Sequence, residues 1–255
     1  MSELNFSNFS ALYLESATAK VRGFENNMDK FTSSATVRRL YCIADRLIDN
    51  AKRFNLTSIL DPAEIVRKHI IDSLQPIGIL ADLGYEPLSL LDVGTGAGFP
   101  LLPMAAAYAD RADCSFTGLD ATRKKISHIR EVADYAEIAN VRGVEGRAEE
   151  LARGDMREKY TIVTARAVAA LPQLIELCAP FVAPGGIFAS MKAHAEEEIA
   201  ASAMGYEKLG LEKTDVIDYE LPGGDARSLI IYRKIKSTPQ KYPRRYTEIL
   251  KQPLK

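Results

Sequence analysis

The chain has 255 residues, 47% of them hydrophobic, which suits one main domain with a large core and a small N-terminal addition. Its three cysteines, Cys42, Cys114 and Cys178, are scattered, odd in number and set among apolar residues, a pattern that suggests neither a disulfide framework nor a metal cluster. No segment approaches the roughly 20 apolar residues of a membrane span. Residues 1–16 carry Glu3 and Glu15 and have no basic start followed by an apolar run, so a soluble, cytoplasmic chain without membrane contact is expected. The net charge of −1 hides an asymmetry: from Lys234 to Lys255 seven basic residues stand against Glu248 alone, a tail of +6 behind a body of −7. Such a tail, with Tyr242 and Tyr246 in it, suits phosphate neutralisation and base stacking. On charge alone it equally suits a solvated end that binds nothing.

In chain order, Val37, Leu40, Tyr41, Ala44, Leu47, Ile48, Ala51 and Phe54 recur at helical spacing after a Ser/Thr-rich start that can cap a helix. Asp61, Pro62 and Glu64 then supply an N-cap, a proline at the first helical position and a glutamate at the third, opening a second helix through about Leu74. The first 84 residues are therefore expected to be a helical extension. Strands are expected at 88–93, 114–119, 141–144, 160–164 and 186–191, with helical stretches at 101–108, 123–137, 149–153, 171–182 and 195–209 between and after them. Alternation of this kind implies an α/β fold with a parallel sheet covered on both faces. Two last strands, 216–221 and 228–232, flank Pro222-Gly223-Gly224-Asp225 and read as an antiparallel edge hairpin. The division expected is 1–84 helical, 85–236 Rossmann-like with seven strands, and 237–255 a basic tail.

The first strand runs into Leu90-Leu91-Asp92-Val93-Gly94-Thr95-Gly96-Ala97-Gly98-Phe99-Pro100, a turn whose glycines admit positive φ and close approach of a ligand. A dinucleotide fingerprint is Gly-x-Gly-x-x-Gly, but here the third glycine comes one residue early and Phe99 stands in its place. Asp92 fits poorly beside a pyrophosphate and well beside a methionyl ammonium. The turn is read as a site for S-adenosylmethionine, with Asp92, Gly94, Gly96, Gly98 and Phe99 in it.

Ligands of open parallel sheets sit beyond the carboxyl ends of the strands. Asp120 ends the second strand and can accept from ribose hydroxyls, although it can also cap the next helix. Arg147, Ala148, Glu149 and Glu150 follow the third strand, at the adenine position, where the glutamates equally suit the first turn of a helix. Arg166 follows the fourth strand among small apolar residues, opposite the expected position of methyl transfer; it needs either an anionic ligand or a structural carboxylate. Lys192, after the fifth strand, suits phosphate or simple exposure at the surface. His69 and Asp72 share a helical face and read as polar packing; His128 and His194 are assigned no role. The chain lacks an Asn/Asp-Pro-Pro-Tyr/Phe tetrapeptide and a Pro-Cys pair, which disfavours exocyclic-amine and pyrimidine-carbon acceptors. A ring nitrogen with a free lone pair, such as guanine N7, needs only positioning and charge management.

These strings, in this order, resemble the RsmG family, also called GidB. The resemblance spans residues 54–254 and is carried by Asn55-Leu56-Thr57-Ser58, His69-Ile70-Ile71-Asp72-Ser73-Leu74, Asp92 to Pro100, Arg147 to Glu150, Ala165-Arg166-Ala167 and Lys241-Tyr242-Pro243-Arg244-Arg245. It implies a class I S-adenosylmethionine-dependent methyltransferase acting on guanine N7 of 16S ribosomal RNA or the small ribosomal subunit, without metal or covalent intermediate, as a monomer. Gly94, Phe99, Ala148, Glu149 and Arg166 would then contact the cofactor, Asp120 would take the ribose position, and Arg166 would stand between cofactor and substrate. Arg123, Lys124, Lys192, Lys241, Arg244 and Arg245 are the residues expected to meet RNA. Two departures bear on RNA docking: Tyr246-Thr247-Glu248-Ile249 replaces the family's Gly-x-Pro turn after the basic motif, and Ala193 replaces its glycine. A small-molecule or protein acceptor, and a noncatalytic RNA-binding assembly factor, are the alternatives.

Overall fold

The structure is a computed structural model and describes residues 4–18, 21–51, 56–193, 195–202 and 205–254. Phe54, Asn55 and His194, singled out above, lie outside the described residues. The helical part comprises α1 (Phe6–Thr18), α2 (Met28–Thr32), α3 (Ser34–Ala51), α4 (Pro62–Ile65), a π-helical turn (Val66–Ile71) and α5 (Asp72–Asp82). Asp61 caps α4 as its sequence predicts, its Oδ1 accepting from the Glu64 amide at 3.0 Å. The buried stripe of α3 runs through Val37, Leu40, Ile43, Ala44, Leu47 and Asn50. Tyr41 and Ile48 sit at its margin, so the expected face is rotated slightly.

The second helix outlasts its expected end at Leu74 by one further stretch, α5, despite Pro76 inside it. A proline costs a helix one backbone bond. Burial of Leu74, Ile77 and Leu80, all fully inaccessible, offsets that loss.

Then follow β1 (Ser89–Val93), α6 (Leu101–Ala107), β2 (Ser115–Asp120), α7 (Arg123–Tyr135), β3 (Val141–Glu145), α8 (Ala148–Leu151), β4 (Tyr160–Arg166), α9 (Leu171–Cys178), β5 (Val182–Lys192), α10 (Glu196–Ser202), β6 (Leu211–Glu220), β7 (Ala226–Lys234) and α11 (Tyr246–Lys251). The seven strands form one sheet in the order β3-β2-β1-β4-β5-β7-β6. β1 to β5 pair in parallel, while β7 pairs antiparallel with both β5 and β6. The expected edge hairpin is therefore present, with longer strands than its turn chemistry marked out.

Side chains of a strand alternate between faces, and both faces here are apolar. Leu90, Phe116, Ile162, Ile187 and Leu229 join the core built with the N-terminal helices. Leu91, Val93, Val163 and Phe188 join the opposite core with α9. The helical extension thus shares one core with the sheet. The order of strands reverses between β1 and β4, which places the switch point at the carboxyl ends of those two strands. No helix among the described residues is long and apolar enough to cross a membrane.

The end of the chain is clamped to this body. Lys234 is fully buried and donates to the Ala179 carbonyl at 2.6 Å, with Glu158 at 3.3 Å. Arg157 donates to the carbonyls of Thr238 (2.6 Å) and Tyr242 (2.9 Å). Glu176, wholly inaccessible, accepts from Arg244 Nη2 at 2.6 Å and Nε at 2.9 Å. Glu176→Gln keeps the shape and removes the charge from these bonds, so it is expected to cost about 2 kcal/mol. Trypsin should then cut at Lys241 or Arg245 severalfold faster; an unchanged digestion rate would show that the clamp is inert.

Candidate active site

The turn after β1 takes its shape from three glycines in the left-handed region, with φ of +71° at Gly94, +57° at Gly96 and +91° at Gly98. At Gly94 a Cβ would stand 2.5 Å from Val168 Cγ2, and at Gly98 one would stand 2.3 Å from Leu102 Cδ1. Both positions therefore demand glycine for φ and for space. The amides of Gly94 and Thr95 donate to the Leu119 carbonyl at 2.8 and 3.0 Å, tying the turn to the end of β2. Asp120 continues that link: its Oδ2 accepts from the Gly96 amide at 3.1 Å and its Oδ1 from the Thr122 amide at 2.8 Å. It thus braces the glycine turn and the short turn that leads into α7 at once; α7 itself has no side-chain cap. The Gly146 amide donates to the Asp120 carbonyl at 3.1 Å, which brings Arg147, Ala148 and Glu149 to the same edge. Arg147 Nε donates to Glu149 Oε1 at 2.7 Å, and its guanidinium lies 5.1 Å from the Tyr246 ring.

Asp92 is completely buried beneath this turn. Its Oδ1 accepts from the Thr164 hydroxyl at 3.1 Å, whereas its Oδ2 has no partner among the described residues. The buried Thr95 hydroxyl has no partner at hydrogen-bond geometry but lies near enough to the Asp92 carboxyl to favour its charged form. Burial pushes the Asp92 carboxyl up to about 7. An orphaned carboxylate oxygen under a left-handed glycine turn is what an ammonium group requires, and the residues present fit S-adenosylmethionine. Asp92 would hold the ammonium, the turn the methionyl backbone, and Asp120 with the 147–149 loop the nucleoside.

A cleft of about 540 Å³ lies beside the turn, lined among others by Lys68, His69, Asp72, Arg166, Lys192 and Arg227. The His69 ring stacks on Phe99 at 4.7 Å between centroids, so the glycine turn and the cleft share a wall. Asp72 is only 6% exposed and accepts from Arg166 Nη1 at 2.9 Å and Arg227 Nε at 3.0 Å. Arg166 also donates to the Lys68 carbonyl at 3.2 Å and faces His69 Nδ1 at 3.4 Å. A guanidinium only donates, so Nδ1 accepts and the His69 proton sits on Nε2, facing Thr57 Oγ1 at 3.0 Å. Burial, reinforced by the Arg166 charge, pushes the His69 imidazole down to about 4, leaving it neutral at pH 7.

The two readings of Arg166 thus merge, for it has its carboxylate and still lines the cleft. His69 and Asp72, expected only to pack, form the cleft wall. Their helical spacing was visible, but the strands they meet were not. Arg227 has no sequence signal beyond its charge. Lys192 donates to the Ala169 carbonyl (2.7 Å) and pairs with Glu198 (2.8 Å), and Arg244 is engaged by Glu176, so both are bound to the body of the protein. Arg123, Lys124, Lys241 and Arg245 are exposed. His128, given no role from sequence, is 2% exposed.

Comparison with known proteins agrees with this geometry. The family described as "rRNA small subunit methyltransferase G" matches residues 37–226. The ribosomal RNA small subunit methyltransferase G of Acetivibrio thermocellus is 38% identical over 234 residues, covering 91% of this chain and 93% of that one. The protein of the same name from Deinococcus deserti is 43% identical, covering 79% and 82%. Among solved structures, a SAM dependent methyltransferase from Aquifex aeolicus superposes with a TM-score of 0.52 at 15% identity, covering 73% of this chain and 98% of that one. That likeness shows the α/β fold alone.

Proposed function

Because the chain belongs to the rRNA small subunit methyltransferase G family, we propose that it methylates N7 of one guanine in the RNA of the small ribosomal subunit. It is an S-adenosylmethionine-dependent rRNA methyltransferase. The finer reading adds the atom, the subunit, a cytoplasmic site of action and a monomeric enzyme. One observation carries the choice of atom: among the described residues of the cleft, the carboxylates are already paired, Asp72 with two arginines and Glu198 with Lys192, and His69 is neutral with Nδ1 turned to Arg166. A proton acceptor is what an exocyclic amine or a hydroxyl would need, and guanine N7 needs none. Bound S-adenosylmethionine supplies a methyl group on a positively charged sulfur. The protein's own part is to hold the cofactor with Asp92 and the glycine turn, to orient the base against the Phe99 and His69 wall, and to balance phosphate charge with Arg166 and Arg227. Arg123, Lys124, Lys241 and Arg245 extend that charge over the outer surface; Lys192 and Arg244 join them only by leaving their present partners.

Asp92 gives this reading a pH signature. Its folded-state pKa of about 7 lies above its ordinary 3.8, so the carboxyl destabilises the cofactor-free fold progressively as pH rises from 4 to 7. An ammonium ligand selects the ionised form. Affinity for S-adenosylmethionine should therefore rise between pH 6 and 7, by up to about tenfold, and Asp92→Asn should bind weakly with a flat profile in calorimetry. A wild-type profile as flat as that of the variant would remove Asp92 from the site. The acceptor class is tested by tritiated methyl transfer to small subunits that lack the modification. Incorporation into their RNA is expected, whereas transfer to protein or to a small metabolite alone would reverse the reading.

A further inference from the structure

Two kinds of carboxylate answer the cations of the cleft. Asp72 is 6% exposed and shared by Arg166 and Arg227, whereas the side chain of Glu198 is 32% exposed and serves Lys192. Glu198 stands on α10, a helix of seven residues that also carries the exposed Glu196 and Glu197. Its Oε2 accepts at one point from two donors, Lys192 Nζ at 2.8 Å and the Leu171 amide at 2.6 Å. Lys192 keeps a further acceptor, the Ala169 carbonyl at 2.7 Å, which fixes its ammonium independently of Glu198. Its side chain is only 9% exposed, so the charge would be poorly solvated without an anion beside it. The cleft therefore holds a built position for one anionic oxygen. Of the two carboxylates among its described lining residues, the one that solvent reaches fills that position.

We propose that Glu198 stands in for a backbone phosphate of the RNA substrate, and that substrate binding displaces it from Lys192. The inference rests on the reading of the cleft as the place where that RNA is held. A phosphate oxygen carries the negative charge that Lys192 requires and can accept from the Leu171 amide at the same time, so the exchange leaves neither donor without a partner. Asp72 is unsuited to such an exchange, for its departure would leave two half-buried guanidiniums facing each other. Repulsion by the incoming phosphate keeps the freed Glu198 carboxylate out of the cleft. Glu198 is thus a competitor built into the free enzyme: a polyanion that does not place a phosphate at Lys192 gains nothing there.

The test measures methyl transfer by the full chain to small ribosomal subunits that lack the modification, over a range of salt. Glu198→Gln keeps an acceptor oxygen for the Leu171 amide and removes the competing charge, so it should lower KM about fivefold. Replacing a Glu198 that only supported the fold would raise KM or leave it unchanged. Lys192→Met, which keeps the apolar stem, should raise KM about tenfold and reduce the slope of log kcat/KM against log salt by about 1, the loss of one phosphate contact. In the double variant, Glu198→Gln should no longer lower KM, because the contact it uncovers is gone. An unchanged or raised KM in Glu198→Gln, a wild-type salt slope in Lys192→Met, or a gain that persists in the double variant would each overturn the exchange and leave the RNA substrate standing. Wild-type protein that transfers no methyl group to the subunits would overturn the substrate reading and the exchange with it.

Discussion

Gly94→Val is expected to fold and to bind no S-adenosylmethionine at millimolar concentration, and therefore to transfer no methyl group. Two independent obstacles meet at this position. Valine is a β-branched residue in a backbone with φ of +71°, and its Cβ would stand 2.5 Å from Val168 Cγ2. The first costs roughly 1–3 kcal/mol, and the second displaces either the turn or Val168, two residues beyond Arg166 at the end of β4. Domains of this size carry about 5–15 kcal/mol of stability, so the fold should survive while the turn moves. The turn cannot shift quietly, because the amides of Gly94 and Thr95 both hang on the Leu119 carbonyl and the Gly96 amide on Asp120. Circular dichroism would establish that the variant is folded, and calorimetry would read the affinity. Binding within threefold of wild type would mean that the cofactor lies elsewhere.

Asp72→Ala is expected to lower thermal stability by about 3 kcal/mol and to reduce kcat/KM for the ribosomal substrate by about a hundredfold. The stability loss follows from removing the shared acceptor of two arginines that are 18% and 17% exposed, which leaves two desolvated cations facing each other. The kinetic loss follows from Arg166, which swings free of Asp72 and no longer presents a fixed edge to the cleft; misplacement of about 1 Å can cost a hundredfold. Asp72→Asn keeps one acceptor oxygen and should fall between the two. Affinity for S-adenosylmethionine should change little, since Asp72 faces the cleft and not the glycine turn. A variant with normal turnover at reduced stability would mean that the cluster is structural only.

The parts of this protein that were legible in its sequence are those whose determinants are close together. Strand, acidic residue and three glycines lie within eleven positions from Leu90 to Pro100, so the glycine turn announced both its geometry and its ligand. The five parallel strands showed as short apolar runs because both faces of the sheet are buried. What the sequence hid depends on distance along the chain. Asp72 finds Arg166 94 residues away and Arg227 155 residues away, and nothing local to any of the three marks that meeting. The π-helical turn before Asp72, which alters the rotation with which His69 and Asp72 face the sheet, has no reliable local code. In the basic tail the charge count was correct and its use was not legible: Arg244 meets a buried glutamate that lies 68 positions earlier. His128 was passed over because a charged helical neighbourhood suggests exposure, whereas Asn50, 78 positions earlier, covers it.

The central claim joins a cofactor site to one atom of one base. It is tested most directly by mapping N7-methylguanosine in small-subunit ribosomal RNA from cells that have the gene, cells that lack it, and cells carrying only Gly94→Val. The account predicts a single N7-methylated guanine in the first and none at that position in the other two. The same modification in all three, or its absence from all three, would contradict it.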